Sequence, residues 1–280
     1  MALLKQLFNF YINASIHLAF SVFSLTWITL IEFNIAYDND ILYFVFFSSI
    51  TGYNFVKYFG MAKFHHRSLT TWLKAIQVFS FFSFGMLCYF MLKLNTVSLI
   101  YVLGFALVTF FYAMPFLPKR FFIDNHYNLR SISGLKVYII ALVWSGVTVF
   151  LPIINNEYNV NLDVLITGIQ RFVFIIVLML PFEIRDLQYD SLKLGTIPQK
   201  IGVRLTKIIG VLLLMCFWVL EFFKNSVDLN NLIVLSVISV VTMLFLILSK
   251  KEQGVYFSSF FVEGLPLVWL VMLLLFNYFN

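Results

Sequence analysis

Long apolar segments alternate with short polar ones along almost the whole of the 280-residue chain. A membrane-spanning helix needs about 20 mostly apolar residues. The strands of a β-barrel would instead alternate apolar and polar residues, whereas runs such as Val211 to Leu220 are continuously apolar. The pattern therefore predicts an all-α polytopic membrane protein with nine transmembrane helices. We place the spans at 13–33, 39–60, 73–93, 96–115, 134–155, 162–182, 203–222, 231–249 and 257–278.

The composition agrees with this prediction, since 61% of the residues are hydrophobic and only 11% are charged. A soluble domain carries about 25% charged residues. No polar linker divides the chain, so we expect one integral-membrane domain over residues 1–280. Its net charge of +6 is dispersed among the spans, and we therefore expect a lipid bilayer and no nucleic acid as its surroundings. Cys88 and Cys216 lack the spacing of a metal or redox motif.

Lys and Arg residues gather at one end of the predicted spans. The N-terminus and the loops after spans 2, 4, 6 and 8 hold 16 of the 19, and the opposite loops hold only Lys93 and Lys224. Short basic loops stay in the cytoplasm. We therefore expect a cytoplasmic (inner) membrane, with the N-terminus inside and the C-terminus outside. The longer, more polar cytoplasmic loops are the predicted location of function.

The loop after span 6 has the most informative pattern of polar residues. Asp186 and Asp190 are four positions apart, so they share one face if the helix continues. Paired carboxylates repel each other unless a cation lies between them, and Mg²⁺ commonly takes one or two carboxylates plus phosphate oxygens. Glu183 is placed to serve as an outer ligand. The alternative is a solvated polar loop, because two aspartates at this spacing are common.

A chain reversal is predicted directly after these carboxylates. Gly195 permits a tight turn, and Thr196 with Gln199 fits a capping box at the start of the next helix. The amino terminus of that helix favours anions. Positive charge is added there by Lys193, Lys200 and Arg204.

These residues resemble a known family. Asp186 and Asp190, preceded by Arg185 and followed by Gly195-Thr196-x-Pro198-xxx-Gly202, resemble the second aspartate-rich motif of the UbiA-type intramembrane prenyltransferase superfamily. The resemblance covers most of the chain, because that family has nine helices and carries its two aspartate motifs after helices 2 and 6. The stretch Tyr112-Ala-Met-Pro115 with Lys119-Arg120 resembles the Tyr-Pro and Lys-Arg residues of the family's loop after helix 4.

The resemblance implies a UbiA-like helical bundle that transfers a polyprenyl group from an isoprenoid diphosphate to an aromatic or lipid acceptor, often in quinone biosynthesis. It implies Asp186 and Asp190 as the catalytic residues and the ligands of Mg²⁺. The residues that it implies for the substrate diphosphate are Asn54, Lys57, Lys119, Arg120, Arg185 and Lys193.

The first aspartate motif of the family, approximately NDxxDxxxD, has no acidic residue in this chain. Asn54 matches its leading Asn, but the acidic positions fall on Phe55, Tyr58 and Ala62. We therefore expect one Mg²⁺ site instead of two, with basic residues after span 2 in place of the other. The alternative is a catalytically inactive UbiA-like protein that binds an isoprenoid or a lipid. The basic residues are Lys57, Lys63, His65, His66 and Arg67, and we do not expect the two histidines to form a metal site.

Arg171 and Glu263 stand out because they lie well inside predicted spans, where an ionisable group costs about 2.5–3.5 kcal/mol or more. Each lies within the first ten residues of its span, and we hypothesise that they pair between spans 6 and 9. Gly264 and Pro266 predict a bend beside Glu263 whose freed backbone groups need partners. The aromatic residues considered for an isoprenoid groove are Trp72, Phe79, Phe81, Phe82, Phe111, Tyr112 and Trp144.

Overall fold

The computed structural model describes residues 2–62, 71–113, 134–188, 195–225 and 228–279, and their regular structure is entirely helical. We number the helices α1 to α10 in chain order. Their bounds are Ala2–Asn13, Ile16–Glu32, Asn39–Ala62, Thr71–Met91, Thr96–Ala113, Leu135–Asn155, Leu162–Asp186, Ile197–Phe223, Leu229–Leu248 and Phe257–Tyr278.

Helices α2 to α10 lie at the nine positions predicted as spans. Within the described residues, six of them are long and apolar enough to cross a membrane, namely α4 and α6 to α10. A seventh span results if α1 and α2, which meet at an angle of 52°, are counted together. The chain is therefore a multi-pass integral membrane protein. The count of nine spans stays a prediction, because α3 and α5 fall outside these criteria.

Helix α7 lies at the centre of the bundle. It is 78% buried over its most apolar stretch, against 17% for α4, and it packs against α6, α8 and α9. An aromatic cluster joins it to α8 and α10, with ring centroids 5.3–5.9 Å apart between Phe174, Phe217 and Trp269. Helix α2 packs against α3, α10 and the middle of α6. Since α7 is sealed on most sides, its charged residues must find partners inside the protein.

Two helices contain a wide π-helical turn, a feature that is frequent at functional sites. In α6 this turn covers Gly146–Phe150, and the Phe105 ring occupies the space where a side chain at Gly146 would start. In α10 the turn covers Phe257–Val262 and ends at Glu263. The last span is therefore irregular at the place where a bend was predicted.

Two carbonyl groups at the α10 turn accept hydrogen bonds from side chains of α2. The carbonyl of Phe260 accepts a hydrogen bond from His17 Nε2 at 2.8 Å, and the carbonyl of Glu263 accepts one from Ser21 Oγ. Gly264 has no room for a β-carbon, which would lie 2.8 Å from the Phe260 carbonyl oxygen. These contacts fix the position of Glu263 relative to α2.

At the end of the bundle away from Asp186, acidic side chains tie the short loops together. Asp38 accepts hydrogen bonds from the side chains of Asn155 and Asn156 at 3.0 and 3.1 Å. Lys93 donates to Asp40 at 2.9 Å, and this hydrogen bond raises the pKa of Lys93. The contacts of Asp38 and Asp40 are therefore structural.

Candidate functional site

A cluster of two carboxylates and two cations lies where α7 ends. Glu183 and Asp186 are three residues apart on one helix face. Lys136, from the first turn of α6, places its Nζ 3.3 Å from Glu183 Oε1 and 3.6 Å from Asp186 Oδ2. Arg185 donates to Asp186 Oδ1 from Nε at 2.9 Å and from Nη2 at 2.8 Å. The two like charges are therefore held together by cations on both sides.

Burial separates the roles of the two carboxylates. Only 1% of the Glu183 side chain is exposed, against 21% of Asp186. A buried charge must be paired or hydrogen-bonded to be tolerated, and Lys136 meets this need for Glu183. Asp186 is the member of the pair that an incoming ligand can reach.

The loops on either side of the cluster meet at two glycines. Gly134 has φ 75° immediately before α6, and Gly195 has φ 51° immediately before α8. Both values favour glycine. A β-carbon at Gly134 would lie 3.4 Å from the Gly195 carbonyl oxygen, so the start of α6 and the turn before α8 are in contact. This contact brings the ends of the loops after spans 4 and 6 to the same place.

The start of α8 carries the predicted capping box between Thr196 and Gln199. Gln199 Oε1 accepts a hydrogen bond from the Thr196 backbone N–H at 3.0 Å. The helix is also interrupted at Gly202, whose φ is 79°. Because the first helical segment is short, its aligned peptide dipoles are few, and the expected attraction of anions to this terminus is weak.

Asn54, predicted to contact the diphosphate, is buried and bonded to protein. Its Nδ2 donates to the Ala14 carbonyl at 3.1 Å and to Ser80 Oγ at 2.8 Å, and its Oδ1 accepts from Ser15 Oγ at 2.8 Å. These bonds stabilise the break between α1 and α2, where Ser15 has φ 60°. The amide is committed to this break, and only 3% of the residue is exposed.

Lys57 lies one turn further along α3 and serves the same break in part. Its Nζ donates to the Asn13 carbonyl at 3.1 Å, and the Tyr58 hydroxyl donates to the same oxygen at 2.9 Å. A cation near the C-terminus of a helix is favourable, so Lys57 stabilises the end of α1. Lys57 is exposed, and an ammonium has three donors. It therefore keeps the capacity to bind an anion.

The remaining predicted site residues, Asp190, Lys119, Arg120 and Lys193, lie outside the described residues. The same holds for Lys63, His65, His66 and Arg67. Their roles stay predictions.

The hypothesised pair between Arg171 and Glu263 is wrong. Arg171 donates to the Leu25 carbonyl at 3.1 Å and to Thr29 Oγ1 at 3.4 Å, and its guanidinium lies 4.9 Å from the centroid of the Trp269 ring. Each residue is counted from the start of its span, but α7 and α10 run in opposite directions. Arg171 therefore lies near the middle of α7 and Glu263 nearer the end that carries Asp186, on the order of 15 Å apart in depth at 1.5 Å per residue.

Glu263 instead faces the end of the bundle that carries Asp186. The charges that act on its carboxyl group are those of Lys57 and Arg185. Arg185 is thus a common neighbour of Glu263 and of Asp186.

Two more polar residues near Glu263, His17 and Tyr11, were not predicted from the sequence. His17 Nε2 faces the Phe260 carbonyl, which can only accept, so Nε2 carries a proton and Nδ1 accepts from the Tyr11 hydroxyl at 2.9 Å. A histidine inside an apolar span costs free energy and usually has a function. His17 could therefore have been predicted as a candidate from its position in the sequence.

Two of the aromatic candidates face away from the bundle. Phe81 and Phe82 are 74% and 68% exposed, as expected for side chains in contact with lipid. Trp144 is buried and donates from Nε1 to the Tyr53 hydroxyl at 2.7 Å. It holds α6 against α3, so it is a packing residue in this structure.

The described carboxylates are of the ligand type that Mg²⁺ takes, but the predicted site also includes Asp190, which lies outside the described residues. One or two carboxylates with phosphate oxygens are the usual protein ligands of Mg²⁺, and Asp186 with Glu183 meets that description. No cluster of three or more His, Cys, Asp or Glu side chains suited to a metal occurs in the described ranges. The position of Asp190 therefore decides whether the predicted site is complete.

An open cavity of about 560 Å³ adjoins the cluster. Arg185 lies between this cavity and Asp186. Its lining residues are Arg185, Gln188, Lys251, Glu252, Gln253 and Val255.

Comparison with known proteins shows a structural likeness but no sequence match. No family model and no curated protein matches the chain. A solved structure of a digeranylgeranylglyceryl phosphate synthase in membranes has a TM-score of 0.56 and 17% sequence identity, and the match covers 99% of this chain and 97% of that chain. The likeness shows the fold.

Proposed function

We propose that residues 1–280 form an intramembrane prenyltransferase that moves a polyprenyl group from an isoprenoid diphosphate to an acceptor in the bilayer. The observation that carries the proposal is the Asp186 cluster, with its exposed carboxylate at the end of a buried helix. The likeness to a membrane prenyltransferase along nearly the whole chain supports it. We place this end of the bundle at the cytoplasmic side of the inner membrane.

In this proposal, Asp186 and Asp190 hold Mg²⁺, with Glu183 behind them. Bound Mg²⁺ would neutralise charge on the diphosphate as it leaves. Arg185 and Lys57 would contact the diphosphate from the described part of the chain, assisted by Lys119, Arg120 and Lys193. We leave Asn54 out of this set, because its amide is used at the α1–α2 break.

The reaction breaks the bond between the first prenyl carbon and the diphosphate oxygen, and the electron pair leaves with the diphosphate. An acceptor atom then forms the new bond to that carbon. The apolar bundle around α7 would keep water away from the cationic prenyl carbon. Both aromatic quinone precursors and lipid hydroxyl groups remain candidate acceptors.

A second candidate function is binding of an isoprenoid or lipid without catalysis. It is favoured by the absence of any acidic residue between Asp40 and Asp124, which removes one of the two aspartate motifs of the family. It is also favoured by the Asp186 carboxylate itself, since two cations already hold it.

The test is release of diphosphate by purified protein from geranyl, farnesyl and geranylgeranyl diphosphate, with and without Mg²⁺, in the presence of candidate acceptors. A transferase releases diphosphate and yields a prenylated acceptor only when Mg²⁺ is present. Tight binding of a non-hydrolysable thiodiphosphate analogue without turnover of any donor would favour the binding function. Neither binding nor turnover with any chain length would reject both.

A further inference from the structure

We propose that Glu263 is the base that binds the acceptor's alcohol hydroxyl and accepts its proton during prenyl transfer. The inference rests on the proposed function and adds the acceptor side of the same site. It also specifies the acceptor class as a membrane lipid with a free alcohol group.

The first argument is that Glu263 lacks a partner that would explain its place in the membrane. It lies in α10, one of the six clear spans, where a carboxylate is expensive and calls for a functional explanation. Its carboxyl group accepts no hydrogen bond from the residues that the structure describes, and its side chain keeps partial exposure. The carboxyl group is therefore available to a ligand.

The second argument is its position relative to the donor site. Lys57 donates to the Asn13 carbonyl at the α1–α2 break, and His17, just after that break, is bonded to the turn that precedes Glu263. The charges of Lys57 and of Arg185, which is bonded to Asp186, both act on Glu263. A diphosphate bound by these cations would be close to Glu263. A carboxylate repels a diphosphate, so its role there is not to grip the donor.

The third argument is that the backbone around Glu263 is held in an irregular but fixed geometry. The π-helical turn before it is bonded to α2 through His17 and Ser21. His17 is in turn fixed by the Tyr11 hydroxyl. A precise position is what a group that transfers a proton requires, since such a group must lie within hydrogen-bond reach of the proton.

An alcohol acceptor gives Glu263 a defined proton to accept. An alcohol is not ionised near neutral pH, so its O–H proton must pass to a base when its oxygen forms the new bond. In the step, the bond from the first prenyl carbon to the diphosphate oxygen breaks, and the alcohol oxygen then forms a bond to that cationic carbon. The alcohol proton passes to Glu263, which becomes a neutral carboxylic acid and later returns the proton to water.

The test compares Glu263→Gln, which keeps the size of the side chain but removes the base, with the unchanged protein. Geranylgeranyl diphosphate serves as the donor, and geranylgeranylglyceryl phosphate and 4-hydroxybenzoate serve as alcohol and phenol acceptors. We expect kcat with the alcohol to fall by about 100-fold, within the range usual for loss of a general base. The dissociation constant of the donor analogue should stay within about twofold. Glu157→Gln, an exposed carboxylate at the opposite end, is the matched control.

Three outcomes would overturn the inference while leaving the transferase intact. These are an unchanged kcat in Glu263→Gln, a shift of its Mg²⁺ requirement or donor affinity at constant kcat, and turnover in the unchanged protein with the phenol alone. If Glu263→Gln does not fold, Glu263→Asp keeps a carboxylate one methylene shorter. It should fold and lower kcat without changing donor affinity, and an unchanged kcat there also counts against the base. A protein that turns over no donor at all fails the proposed function, and the inference with it.

Discussion

The ends of α3 and α7 occupy the two positions where the family that the sequence resembles carries its aspartate motifs, and they differ in what their polar side chains contact. At the end of α7, Asp186 faces cations and keeps part of its surface exposed. On α3, Asn54 and Lys57 turn back to the α1–α2 break. A residue that matches a family's motif at the same helix position can therefore have a structural role, as Asn54 does through its hydrogen bonds at the α1–α2 break.

The largest effect is expected at the end of α7. Asp186→Asn removes one charge from the cluster and should lower Mg²⁺-dependent prenyl transfer by about 10²- to 10³-fold, as loss of a preorganised electrostatic group typically does. Melting in detergent should change little, because Asp186 is partly exposed. Rates of diphosphate release would measure the effect, with Asp40→Asn at the opposite end as the control.

Arg171 lies on the same helix as Asp186 but has only protein contacts, so its loss should affect stability alone. Arg171→Met removes one of the two cations that act on the nearby Glu32, while Lys224 stays in place, and it should lower the free energy of unfolding by about 1–3 kcal/mol. The double variant Arg171→Glu with Glu263→Arg should recover none of the stability that the single variants lose, because the two groups lie at different depths. If thermal melting shows that the double variant loses less stability than the two single variants together, Arg171 and Glu263 do pair.

Asn54→Ala tests whether the end of α3 is a structural or a ligand-binding region. It leaves buried groups at the α1–α2 break without partners, which should cost about 2 kcal/mol. Turnover per folded molecule should fall by less than about threefold. If melting is unchanged while affinity for the donor falls sharply, Asn54 contacts the donor, and the ends of α3 and α7 do not differ in the way described.

The smallest effect is expected for Lys57, which stabilises the α1–α2 break and, in our proposal, also contacts the diphosphate. Lys57→Met should weaken binding of the donor analogue by about three- to tenfold, the loss of one charged hydrogen bond. Lys93→Met, which removes a lysine bonded to Asp40 at the other end, should leave that affinity unchanged. Titration calorimetry on both variants separates a direct contact from a general effect of net charge.

Hydropathy predicted the helices well, because burial in lipid or protein decides where they lie. The predicted span 134–155 coincides with α6 to within one residue. The sequence could not show that α3 supplies hydrogen bonds to a break near Ser15, since this depends on a backbone angle. It also misled us about Arg171, because counting from span starts ignores that neighbouring spans run in opposite directions.

The buried Arg171 also constrains the order in which the protein is made. A lone arginine in the middle of a helix opposes its own release into the bilayer by about 2.5–3.5 kcal/mol. Its acceptors at Leu25 and Thr29 belong to α2, which is synthesised well before α7. A ribosome therefore delivers the guanidinium to a membrane that already holds its partners, whereas a circularly permuted chain with α7 first would have to insert it alone.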